Sequence, residues 1–226
     1  MKNKDVGILI HKKNYSESSL ILTFYTEGNG LISFIFKGAK KKKLAIFHLG
    51  IYELTYFKRP ESNLGIIQSL EAGVPLTELF SNPQKIIIGF FMVDVLGQTL
   101  KTEHSDPELF HFIKNNILEL EVQSDLLSFP LAFLGNYIRK LGFSPLSEVE
   151  NPKGFDLNSG RFTSEETGII PTVVKQLDLL FQGLPIECSK EIAQKAMQIL
   201  LDYYKLHLPH FNAENSLKII RDTLYV

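Results

Sequence analysis

Leu20-Ile21-Leu22-Thr23-Phe24-Tyr25-Thr26-Glu27-Gly28-Asn29-Gly30-Leu31-Ile32-Ser33-Phe34-Ile35-Phe36 decides the fold of the first part of the chain. Branched and aromatic residues dominate both flanks, as they do in strands, because they pack well on a pleated surface. Between the flanks, Glu27-Gly28-Asn29-Gly30 reads as a turn, since glycine and asparagine tolerate positive φ. The stretch predicts an antiparallel hairpin. Upstream, Val6 to Ile10 predicts a strand and Lys12 to Ser18 a polar loop. Downstream, Ile51 to Phe57 predicts a strand, Lys58 to Asn63 a turn around Pro60, and Gly65 to Leu70 a last strand.

Five short strands in about seventy residues, with no long helix among them, is the count for a small closed or nearly closed barrel. The OB-fold is the common architecture of that size, and it binds single-stranded nucleic acid on one face. Between the third and fourth strands runs Lys37-Gly38-Ala39-Lys40-Lys41-Lys42-Lys43, five lysines within seven positions. Glycine and alanine keep that backbone compact enough for a polymer to approach. A lysine run is often no more than a solubilising loop. Its place beside the open face of a barrel favours contact with phosphates or another polyanion. Lys12 and Lys13 in the first loop, and Lys58 and Arg59 in the last hairpin, extend the candidate surface. Tyr15, Tyr25, Phe34, Tyr52 and Tyr56 are candidate stacking residues. Most of them fit a barrel core equally well; Tyr15, in a polar loop, is the one expected at the surface.

The 226 residues allow one large domain or two modest ones, and the apolar content suffices for a core. No apolar run reaches the length of a membrane span, and the N-terminus lacks the pattern of a signal peptide, so a soluble cytoplasmic protein is expected. Cys188 is the single cysteine, which excludes an internal disulfide and any multi-cysteine metal cluster. Residues 1–60 carry eleven Lys and Arg against four Asp and Glu, and residues 61–226 carry thirteen against twenty-one. A basic front on an acidic remainder suggests two domains with different partners.

The remainder reads as helical. Asn82-Pro83 is an N-cap followed by proline at the first helical position, and the run to about Leu100, with Ile86, Ile87, Phe90, Phe91, Val93 and Leu96, predicts a mostly buried helix. Asp106-Pro107 repeats the signal, and Phe110, Ile113, Ile117 and Leu120 mark an apolar face. A third helix runs from about Asp125 to Leu141, stopped by Gly142; a fourth spans Pro171 to Gln182; Ser189 caps a fifth reaching His207; a sixth covers 213–224. Between the third and fourth, Gly154 to Phe162 predicts a small hairpin turning at Asn158-Ser159-Gly160, with Phe155, Leu157 and Phe162 as its apolar contacts. The fold class is therefore α+β in two domains: an OB-fold over 1–78 and a helical domain over 79–226, with a hairpin insertion at 143–170.

Tyr15-x-Glu17-Ser18-Ser19, Thr26-x-x-x-Gly30-Leu31 and Lys37-Gly38-Ala39-Lys40, in that order and spacing, resemble the opening pattern of the RecO family of bacterial recombination mediators. The helical remainder is similar to that family in layout more than in motif. The resemblance implies binding of single- and double-stranded DNA, annealing of complementary strands, and action with RecR. It also implies remodelling of single-strand DNA-binding protein so that the RecA recombinase loads, in the cytoplasm at the nucleoid. Many members place a four-cysteine zinc site where the hairpin is expected. This chain has no cysteine there, so it looks like a zinc-free member and no metal is expected.

Little in the sequence suggests catalysis. There is no Walker loop, no G-x-S-x-G and no H-E-x-x-H. His207 and His210 straddle Pro209 and read as a helix-end turn; His104 and His111 read as solvated. No enzyme and no cofactor are expected, although an OB-fold enzyme is a third alternative. A second alternative is an interaction scaffold that binds the acidic, aromatic tail of a single-strand DNA-binding protein. Arg139 and Lys140 beside Phe133 and Tyr137 are the candidates for that receptor, against the plain reading of a solvated helix end.

Overall fold

A computed structural model describes residues 2–41, 45–59, 62, 64–100 and 104–225, with the backbone alone at 41. Five strands form a closed barrel: β1 (Lys2–Asn14), β2 (Leu20–Thr26), β3 (Gly30–Phe36), β4 (Ile51–Phe57) and β5 (Leu64–Ala72), in the order β1-β2-β3-β5-β4. β1 pairs antiparallel with both β2 and β4, which shuts the barrel. The remaining seam is parallel, Phe34 opposite Gly65 and Ile35 opposite Ile66. A Cβ at Gly65 would lie 2.5 Å from Phe34 Cδ1, so only glycine lets β5 come this close.

The predicted hairpin is present, and β3 alternates buried and half-buried along its whole length, the mark of one face on a core. Phe24, Phe34, Tyr52 and Tyr56 fill the barrel, with Phe34 and Tyr56 edge to face at 4.8 Å. Tyr25 points out of the barrel but is equally buried, packed on Phe110. These four tyrosines and phenylalanines of the core, and Tyr25, are therefore structural rings and not stacking platforms.

Two predicted boundaries shift. β1 continues to Asn14, so Lys12 and Lys13 sit on a strand rather than in a loop. A short helix, α1 (Thr77–Ser81), precedes α2 (Pro83–Thr99) and α3 (Pro107–Val122). Asn82 caps α2 by accepting from Gln84 N at 3.0 Å, and Asp106 Oδ1 accepts from Leu109 N at 2.9 Å at the start of α3. Glu121 reaches α1 instead, its two carboxylate oxygens accepting from Glu78 N and Leu79 N. α2 buries Ile88, Phe91, Met92, Val95 and Leu96, but Phe90 is 57% exposed, contrary to the sequence reading.

The chain forms two compact units, 1–122 and 123–226. The first unit thus groups α1 to α3 with the barrel, and the boundary expected at 78/79 falls inside α1. The second unit holds α4 (Phe129–Lys140), the hairpin β6 (Gly154–Asp156) and β7 (Arg161–Thr163), α5 (Pro171–Phe181), α6 (Lys190–His207) and α7 (Glu214–Leu224). Ser189 caps α6 through Ile192 N. The hairpin packs by Phe155 stacked on Phe162 at 4.7 Å, and Leu157 is half-buried.

Candidate nucleic-acid interface

Two connections of the barrel meet at one end. The β1–β2 loop closes on itself through Tyr15 N and Ser16 N, both donating to Ser19 O. The β3–β4 connection turns at Gly38, whose φ is +69°. It then drops Ala39 into the core at the start of a 3-10 turn, Ala39–Lys41. That anchor sets Lys40 against the first loop: Lys40 N donates to Ser18 O at 3.3 Å and Lys40 Nζ to Ser16 O at 3.1 Å. Further on, the same connection lies along β1, with Leu49 N on Leu9 O, Leu9 N on Gly50 O, and Lys12 Nζ on Ile46 O at 2.8 Å.

The barrel thus carries Lys12, Lys13, Lys37 and Lys40 exposed around one rim, beside Tyr15, which is 58% exposed. Glu17 shares the loop, yet among the described residues no carboxylate forms an ion pair with these lysines. Lys12 and Lys40 spend hydrogens on backbone carbonyls, which leaves their charge uncompensated. A cluster of unpaired cations beside an exposed ring suits a phosphate backbone with unstacked bases. Lys42 and Lys43, and the side chain of Lys41, lie outside the described residues. Lys58 is half-buried and Arg59 exposed, but their turn follows Phe57, which is opposite Lys2 at the start of β1, while the rim lies at its end. Through β5, however, Phe57 stands opposite Ile66 and Ile66 beside Ile35, two residues before Lys37, so the register sets that pair two strands from the Lys37 side of the rim and far from Lys12 and Lys13.

Asp5, Glu27, Glu53 and Glu71 line a different groove of the barrel, which repels a polyanion. Asp5 there ties the β2–β3 turn, accepting from Gly28 N at 3.1 Å and Asn29 Nδ2 at 2.7 Å. His111 is not merely solvated: its Nε2 lies 3.0 Å from Glu27 Oε1.

In the second unit, Arg139 and Lys140 are exposed at the end of α4, but Phe133 and Tyr137 are not beside them at the surface. Both rings are buried, stacked on each other at 5.5 Å and 7°. Tyr137 and Phe133 lie two and six positions before Arg139, which puts them on a different face of α4, the one turned to the core. The proposed receptor therefore has its cations without its apolar floor. His207 Nε2 lies 2.9 Å from Leu157 O, and His210 is an exposed residue at φ +67° in the turn after α6. Among the described residues no three His, Cys, Asp or Glu side chains gather closely enough to hold a metal. The hairpin itself has aromatic stacking of Phe155 on Phe162 and an Asp156–Ser159 hydrogen bond of 2.6 Å.

Family models agree with this layout. Residues 1–73 match the model described as Recombination protein O N terminal, and residues 81–216 match Recombination protein O C terminal. The chain belongs to the RecO family. It is 29% identical to the DNA repair protein RecO of Phocaeicola vulgatus, covering 98% of this chain and 99% of that one. It is 26% identical to the DNA repair protein RecO of Bacteroides fragilis over the same shares. The corresponding protein of Christiangramia forsetii is 25% identical, covering 96% of each chain. The RecO assignment accounts for the closed barrel and the helical remainder together.

One site escapes sequence reasoning. Ile46, Phe47, His48 and Leu49 face Leu79, Phe80, Ile86, Gly89 and Phe90 across a cavity of about 370 Å³, with Lys12 at its edge. Its walls come from a barrel connection and two helices, so no local pattern announces it. Burial, with Lys12 and His11 nearby, lowers the His48 pKa below 6.5 and keeps that ring neutral at pH 7.

Proposed function

We propose that this RecO-family chain is a non-enzymatic DNA-binding mediator of recombinational repair. It binds single- and double-stranded DNA through the lysine rim, anneals complementary strands, and works with RecR to load the RecA recombinase onto strands coated by single-strand DNA-binding protein. It does so in the cytoplasm, at the nucleoid. The observation that supports the reading is the pairing of Lys12, Lys13, Lys37 and Lys40 with backbone carbonyls or with nothing, and with no acid among the described residues. Annealing follows from charge: a cationic surface screens the repulsion between two strands without further chemistry. Among the described residues no helix is long and apolar enough to cross a membrane. The scaffold reading, in which the chain chiefly grips the tail of single-strand DNA-binding protein through Arg139 and Lys140, loses support with the burial of Phe133 and Tyr137.

A gel-shift and strand-annealing assay on the full chain, without nucleotide or metal, tests the proposal. Retardation of both DNA forms and faster annealing of complementary oligonucleotides are expected. Failure to retard either form overturns it.

A further inference from the structure

The cavity beside the rim has a composition that selects its occupant. Among its ten lining residues there is no carboxylate; Lys12 is the one fixed charge, and His48 is held neutral by burial. Seven of the ten are aliphatic or phenylalanine side chains. Phe47 and Phe80 stack at 4.4 Å and 21°, which builds one flat wall. Phe90 stands across from it at 57% exposure, and His48 meets the Phe90 ring edge to face at 6.2 Å. Phe47 itself is 44% exposed. Large rings left open to water beside a cation form a site for a planar, apolar-faced group attached to an anion.

We infer that this cavity takes one unstacked nucleobase of a single strand, with the adjoining phosphate on Lys12. The inference rests on the DNA-binding reading of the rim and deepens it. Continuity favours a nucleotide over an acidic, aromatic peptide. Lys12 lines the cavity and is also one of the exposed lysines of the rim, so a strand lying on the rim passes the mouth of the pocket. Stacking is indifferent to base identity because every base has a π-face, so the site reads strandedness and not sequence. A base held in a duplex is paired and stacked; it enters only after extrusion, which costs a few kcal/mol. The rim therefore meets both DNA forms, while the cavity adds affinity for single strands alone.

Phe90→Ala tests this with little danger to the fold, because the ring is mostly outside the core. On the full chain, affinity for oligo(dT) is expected to fall about tenfold, the stacking worth of one base, with affinity for a duplex of equal length unchanged. The chain has no tryptophan, so Phe90→Trp supplies a single fluorescent reporter at the site. Oligo(dT) should quench it and duplex should not, and oligo(dT) affinity should stay at or above the unaltered level. An unchanged oligo(dT) affinity in Phe90→Ala, or an equal loss on both forms, overturns the base pocket while leaving the rim intact. Quenching of Phe90→Trp by an acidic, aromatic peptide and not by oligo(dT) overturns it in favour of a peptide site. If the unaltered chain retards no DNA, the functional reading falls and the pocket with it.

Discussion

Lys13 and Lys37 offer a clean test of the rim because, among the described residues, neither side chain makes a hydrogen bond within the protein, unlike those of Lys12 and Lys40. Replacing both with glutamine removes two charges and no internal contact, so stability should stay within about 0.5 kcal/mol. Each phosphate neutralised on a single strand contributes about −0.7 to the slope of log affinity against log salt. The double variant should therefore show a slope shallower by about 1.4 than the unaltered chain. Whatever Lys41 to Lys43 add, they add to both proteins, and the difference remains. Between 50 and 200 mM salt, the advantage of the unaltered chain should shrink about sevenfold. Fluorescence anisotropy of labelled oligo(dT) across that range measures both lines. Parallel lines would show that these lysines meet no phosphate, and would refute the rim as the DNA contact.

Other expectations concern the scaffold that holds the rim and the hairpin. Asp5→Ala removes the acceptor for Val6 N, Gly28 N and Asn29 Nδ2, and should cost about 1–2 kcal/mol in urea unfolding, since these are charge-assisted bonds near solvent; an unshifted midpoint would show the turn stands without them. Gly160→Ala places an L-residue at φ +66° with its Cβ 2.6 Å from the Tyr203 hydroxyl, which donates to Phe143 O. A loss of about 1–3 kcal/mol is expected, and a neutral result would contradict the hairpin geometry. His48 resists protonation in the folded state, so below its ordinary value of 6.5 the unfolded chain binds the extra proton and stability falls as pH falls. His48→Gln should flatten that part of the stability profile; an identical slope would place the titration elsewhere.

Local chemistry made much of this molecule legible. Ile51 to Phe57 has strand composition and no competing pattern, and β4 has those bounds. Asn82-Pro83, Asp106-Pro107 and Ser189 announce helix starts through side chains that accept backbone hydrogens a few positions on, so their signal lies in the sequence itself. What escaped depends on distant partners. α1 is five residues long and owes its first turn to Glu121, more than forty positions away. The last turn of β1 is polar on both faces, and pairing with β2 past the bulge after Leu9 holds it extended. Phe90 carries an apolar residue's signature, yet it is 57% exposed and lines the cavity formed with the β3–β4 connection, a distant segment no helix pattern reveals. Phe133 and Tyr137 show the reverse: rings next to a cation in sequence, but turned inward by the helix that bears them.

The parallel seam between β3 and β5 has a consequence for crowding on a polymer. With that seam closed, all five strands of the barrel have neighbours on both sides, and the main chain offers no ready template for another molecule to extend. If copies gather on one nucleic-acid lattice, their barrels meet without strand addition. A closed barrel thereby avoids the hazard of an open-edged sheet, which can recruit further strands and lock into fibres.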